Sequence, residues 1–134
     1  MVSIMQNDKP DIKDISDIKV LVNSFYDKVR DDDILAPIFN EKIQDRWPHH
    51  LEKMYTFWQT VLLEEHTYFG TPFTPHVNLP INKEHFNKWI QLFTETVNEH
   101  FKGVIADEAL WRADKMALMF QTKLNYYRNS NSVI

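Results

Sequence analysis

The sequence predicts an all-helical fold. Apolar residues recur at three- and four-residue steps through four long stretches, each marking one buried helix face. No stretch alternates apolar and polar residues over a length that would make a strand. The composition, 43% hydrophobic and 25% charged, is that of a globular chain.

The first helix is expected from about Ser16 to Asp31. Ser16 or Asp17 can accept a first-turn N–H as its N-cap. Ile18, Leu21, Val22, Phe25 and Val29 form its apolar face, and Asp31-Asp32-Asp33 with Pro37 end it. A short element, Leu35–Phe39, leads into a connector. The second helix begins near Asp45 or Trp47, with Pro48 in its first turn. Its stripe is Trp47, Leu51, Met54, Tyr55, Trp58, Val61 and Leu62. The segment from His66 to Pro80 reads as irregular. The third helix starts at Asn82 with Glu84 in its first turn, and carries Phe86, Trp89, Ile90, Phe93, Val97 and Phe101 to a stop at Gly103. Asp107 can cap the fourth, whose inner stripe is Leu110, Ala113, Ala117, Phe120 and Leu124, with Met116 and Tyr127 close by. One domain, 1–134, is expected, its core about 16–127 and its tails, 1–13 and 128–134, frayed.

Several functions are excluded at this level. The net charge of -4, with no Lys/Arg run, leaves no electrostatic footprint for nucleic acid. No stretch approaches the roughly 18 apolar residues of a membrane span. Met1–Lys13 is polar and lacks an apolar signal core, which makes the cytoplasm the expected compartment. Without cysteine there is no disulfide, zinc–thiolate site, iron–sulfur cluster or covalent c-type haem. With only Gly70 and Gly103, no phosphate-cradling loop forms. There is no His-Glu-x-x-His, no Glu-x-x-His and no Gly-x-Ser-x-Gly.

The aromatic content is high: nine Phe, five Tyr and four Trp. They can simply fill a bulky core or wall a cavity for a flat ligand. His76 lies in the proline-rich stretch Tyr68–Pro80, between helices that carry Phe25-Tyr26 and Trp89. Imidazole held by such a connector suits an axial position on haem iron. Read alone, a loop histidine is more often a surface residue.

An ordered series of short motifs then bears on the question. Phe25-Tyr26-Asp-Lys-Val-Arg30, Leu35-Ala-Pro-Ile-Phe39, Trp47-Pro-His-His50 and Phe57-Trp58 come first. Gly70-Thr-Pro72, His76-Val-Asn-Leu-Pro-Ile81, His85 to Phe93 and Arg112 to Ala117 follow. The series resembles the truncated haemoglobins, a bacterial globin family, and is most similar to group III, over about Asp17 to Gln121. Members of the other groups carry paired glycines between helices, and this chain has none.

The resemblance implies a two-over-two helical sandwich around haem b with a loop-like proximal segment. It places the iron ligand at His76, whose second ring N–H should donate to a backbone carbonyl. His85 is the competitor and reads as a surface or supporting residue; His49 has no haem role in the pattern. The resemblance makes Tyr26, His50 and Trp89 the distal donors, and sets Phe39 on the haem face. It makes Phe25, Met54, Trp58, Leu79, Phe86, Phe93 and Met116 the apolar lining. Lys53 falls where a basic residue often meets a haem propionate, though a solvated lysine reads as well.

The expected function is reversible binding of dioxygen, carbon monoxide or nitric oxide. One donor bond to the ligand is worth about 1–1.5 kcal/mol, so two would slow release by roughly two orders of magnitude, which disfavours bulk oxygen transport. The alternative is a haem enzyme, a nitric oxide dioxygenase or a peroxidase. There His50 would act as acid/base near its ordinary value of about 6.5, with peroxide as substrate. Within eight residues of His76 the only carboxylate is Glu84, so the proximal side offers little peroxidase-like push. A reductase or other electron donor is the expected protein partner. A third class, a helical interaction module without haem, would make the motif series accidental.

Overall fold

The computed structural model describes residues 9–70, 72–77 and 79–132. The fraying expected of Met1–Asp8 and Val133–Ile134, and the motif positions Thr71 and Asn78, lie outside the described residues. The elements are α1 (Ile15–Asp31), α2 (Ala36–Ile43), α3 (Trp47–Leu63), a 3-10 turn (Thr74–His76), α4 (Lys83–His100) and α5 (Val104–Ser132). Among the described residues there is no strand.

Local chemistry starts and stops these helices. Asp14 is the N-cap of α1, its carboxylate accepting from Asp17 N–H at 3.2 Å. The cap therefore falls two residues before Ser16, because Ile15 already has helical geometry. The short element expected over Leu35–Phe39 extends to Ile43 as α2, with Pro37 in its first turn. In α3, Pro48 occupies the first turn and Glu64 closes the helix in the left-handed conformation. Asn82 caps α4 by accepting from Glu84 N–H, while His85 Nδ1 accepts from Asn82 N–H in return.

The capping of α5 differs from expectation. Asp107 lies inside the first turn, and the orphan N–H groups of Ile105 and Ala106 donate to the Asp11 carboxylate at 3.0 and 2.8 Å. Lys102 N–H donates to Pro10 O at 2.9 Å and Ile12 is 2% exposed. Within the stretch read as a frayed tail, Pro10 and Asp11 are thus fastened to the corner between α4 and α5. At the other end, α5 continues through Arg128 to Ser132.

Helix α1 buries Ile18, Leu21, Val22, Phe25, Tyr26 and Val29 against α3 and α4, while α4 pairs with α5. The α1–α3 pair laid on the α4–α5 pair is a two-over-two helical sandwich. A smaller apolar cluster, Ile81, Phe86, Ala117, Phe120 and Leu124, joins α4 and α5 to the segment between α3 and α4. No helix among the described residues is long and apolar enough to cross a membrane.

The remote cap yields a direct test. Burial raises the Asp11 carboxyl, but N–H bonds from Ile105, Ala106, Ile12 and Val104 outweigh it and hold it below its ordinary value. A depressed carboxylate stabilises the fold above its unfolded value of 3.8 and ceases to do so as pH falls through the folded one. Asp11→Ala should cost about 1 kcal/mol at neutral pH, the worth of a helix cap, read from the urea midpoint. Gly103→Ala should cost more: φ is +147° there, and a Cβ would meet Asp11 Cγ at 2.5 Å.

Candidate functional site

A cavity of about 310 Å³ opens between the α1–α3 layer, the α4–α5 layer and the segment following α3. Its size is that of a site for a small organic group. Tyr26 reaches it from α1, Phe39 from α2, His50, Lys53, Met54 and Trp58 from α3, and Trp89 and Phe86 from α4. Met116 comes from α5, and His76 and Leu79 from the connecting segment. The residues singled out in the sequence thus converge, with two exceptions. Phe25 and Phe93 do not line the cavity. They pack one layer back, their rings 5.4 Å from Trp89, with Phe93 parallel to it and Phe25 edge-on. Both sit on the inner faces of α1 and α4, so core packing claims them; they brace Trp89 instead of touching the cavity.

One wall is a chain of edge-to-face rings. Tyr26 lies 5.2 Å from the His50 ring, 5.8 Å from Trp47 and 5.9 Å from Phe39. Such contacts stabilise beyond the area they bury and hold each ring's orientation. Asn40 Oδ1 accepts from Trp47 Nε1–H, and the Arg30 guanidinium sits 4.6 Å from that ring.

The histidines differ in their surroundings. His50 Nε2 is buried without a hydrogen-bond partner among the described residues. Burial, followed by the nearby positive charges of Lys53, His76 and His49, pulls this ring down to about 4. It is neutral at physiological pH, so the titration expected near 6.5 moves well into the acid range. His76 Nδ1 lies 2.7 Å from Pro72 O. With Nδ1 as the donor, Nε2 keeps a lone pair. Burial lowers the His76 ring below its ordinary value although the Pro72 and Phe73 backbone bonds raise it. His85 also borders the cavity, but its Nδ1 is engaged in the α4 capping box. Burial of the Tyr26 hydroxyl drives its titration upward, so it remains a donor.

The sequence reading missed Lys42, Arg46, His49, Tyr68 and Phe120 as lining. A signal was present for the basic ones: Lys42, Arg46, His49 and Lys53 recur at helical steps across the α2–α3 junction. The neighbouring acids Glu41, Asp45 and Glu52 do not border the cavity, and no acidic side chain among the described residues does. Phe120 was assigned only to a packing stripe, yet its ring lies 4.9 Å from that of His76.

These residues fit a haem. Apolar and aromatic walls suit a flat macrocycle, a basic rim suits its carboxylates, and a carbonyl-oriented imidazole suits its iron. The orphaned His50 Nε2 is a polar group awaiting a partner inside the cavity.

Comparison with known proteins agrees with this chemistry. The bacterial-like globin family profile matches residues 13–122. A group 3 truncated hemoglobin from Campylobacter jejuni is 38% identical over 114 residues, spanning 82% of this chain and 90% of that protein. The crystal structure of the group III truncated hemoglobin from Campylobacter jejuni matches with a TM-score of 0.80 at 36% identity, over 87% of this chain and 95% of that one. With family, sequence and fold in agreement, this chain belongs to the bacterial-like globins as a group III truncated haemoglobin, a membership that implies a haem cofactor.

Proposed function

We propose that the protein holds haem b through His76 Nε2 and reversibly binds dioxygen, carbon monoxide or nitric oxide beside Tyr26, His50 and Trp89. The observation that carries this reading is the pairing of two unlike imidazoles on one cavity. One is fixed by a backbone carbonyl with its second nitrogen free to ligate; the other is buried, neutral and without a partner. Bound haem supplies an open coordination position that takes a diatomic ligand. Tyr26 and Trp89 present O–H and N–H donors, with Trp89 held by Phe25 and Phe93. The rings of Tyr26 and Trp47, edge-on to His50, orient it.

Among the described residues no acidic side chain borders the cavity, which favours binding over peroxide chemistry. The partner of His76 is the neutral Pro72 carbonyl, a weaker base than a carboxylate. Lys42, Arg46 and Lys53 are the candidate partners for the carboxylates of the cofactor. An electron donor that keeps the iron ferrous completes this reading.

His76→Ala should abolish or greatly weaken the Soret band of the haem-reconstituted protein, whereas His85→Ala should retain it; the reverse pattern would move the ligand to His85. Tyr26→Phe and Trp89→Phe should each speed dioxygen release about tenfold, the worth of one hydrogen bond. Unchanged stopped-flow release rates in both would remove these donors from the reading.

His50 separates binding from catalysis by its pH dependence. Carbon monoxide association should be flat through neutral pH and change only near 4, where the buried ring charges. The folded ring titrates below its unfolded value of 6.5, so both states hold it neutral above that pH. As pH falls from 6.5 toward about 4 the unfolded chain takes the proton first, and the fold loses stability over that window. His50→Ala should alter carbon monoxide association more than peroxide turnover; the opposite outcome would favour the enzyme.

A further inference from the structure

The segment that carries His76 has little backbone structure to hold it. Its hydrogen bonds are short-range: His76 N–H to Phe73 O at 2.8 Å, Leu79 N–H to His76 O at 3.2 Å and Ile81 N–H to Leu79 O at 2.9 Å. Pro75 and Pro80 have no N–H to offer. Apolar packing joins the segment to α4 and α5, and its directed holds come from one face of α5 near that helix's C-terminal end. The Phe73 ring lies edge-on to Phe120 at 5.4 Å and stacks on Tyr127 at 5.9 Å, with the Lys123 ammonium 5.1 Å from its centre. The His76 ring itself packs 4.9 Å from Phe120. One turn further on, Arg128 Nη2 donates to Leu79 O at 3.1 Å and to Ile81 O at 2.7 Å. A single guanidinium nitrogen thus spans both carbonyls that flank Pro80.

From this arrangement we infer that Arg128 is a positioning residue for His76: it sets the pose of the proximal imidazole from the far end of α5. The inference rests on the reading of His76 as the iron ligand. Phe73, three residues before His76, and Leu79 and Ile81, three and five after it, are held by the same helix face. A displacement at Phe73 is carried to the imidazole through the 3-10 turn that ends at His76, and a displacement at Leu79 through the bond from its N–H to His76 O. The guanidinium is well suited to this, since its N–H hydrogens diverge within one rigid plane toward two acceptors. A lysine can place its ammonium near one carbonyl but lacks that fixed geometry.

The test uses full-length protein reconstituted with haem, comparing wild type with Arg128→Ala, Arg128→Lys and His76→Ala. Arg112→Ala is the control, on the same helix but bonded to Glu108 instead of the segment. Three quantities are read: the iron–histidine stretching band of the ferrous ligand-free form by resonance Raman, the rate of haem transfer to an apomyoglobin acceptor, and the C–O stretch of the carbon monoxide form. Arg128→Ala should lower or broaden the iron–histidine band and speed haem loss about tenfold, with the C–O stretch, which reports the donor side, unmoved. Arg128→Lys should recover part of both effects, and Arg112→Ala should match wild type. A merely structural role would speed haem loss without moving the band. A band at the wild-type position in Arg128→Ala overturns the inference; if that variant does not fold, an unmoved band in Arg128→Lys does so. A band lost in His76→Ala yet unmoved in the Arg128 variants defeats this inference alone. A band that survives His76→Ala, or is absent from wild type, defeats the reading of His76 and the inference together.

Discussion

A cavity of about 310 Å³ in a chain of 134 residues is the constraint to which the rest of the structure answers. Side chains that border such a space have no partner atoms on that side and forgo the dispersion contacts a filled core would give them. A fold this small tolerates such a space by building its walls from rings that brace one another. Trp89 stacks on Phe93, Phe93 stacks on Trp58, and Phe25 meets both Trp89 and Phe93 edge-on. The core and the site wall are therefore one body, and a flat group entering the cavity would continue a packing of rigid planes.

That economy assigns different duties to the two layers. The α1–α3 layer presents polar atoms to the cavity from rigid helices, through Tyr26 and His50. The opposing imidazole comes from a segment with one short 3-10 turn, which borrows its rigidity from α5. Charge is divided too: the molecule is net acidic, while among the described residues the charged side chains that border the cavity are basic. The flanking acids Glu41, Asp45 and Glu52 are exposed to solvent instead.

Much of this was legible in the sequence because helical periodicity and aromatic spacing are local signals. The inner stripe of α1 and the proline-marked starts of α2 and α3 needed no tertiary information. The convergence of Tyr26, His50, His76 and Trp89 on one cavity followed from a series of motifs spread along the chain. What escaped was set by long-range geometry. Asp11 reads as a tail residue until its carboxylate is seen beside Ile105 and Ala106. Arg128 reads as the start of a frayed end until it meets the carbonyls of Leu79 and Ile81. Phe25 and Phe93 were placed on the cavity because periodicity gives the buried side of a helix, not the depth at which each ring stops.

The Asp11 contact also bears on how the chain reaches its fold during synthesis. Its partners lie 94 and 95 residues downstream, so the bond cannot form until most of the polypeptide has left the ribosome. Until then the first turn of the longest helix has no acceptor for its amide hydrogens, and loop closure over that span must be offset by contacts made in the same event. The α4–α5 hairpin is local and can form early, whereas closing the ring between the leading residues and the α5 start belongs to the end of folding. A chain shortened at its leading end past Asp11 would carry its helices without that closure, and its weakest point toward proteases would be the α4–α5 corner.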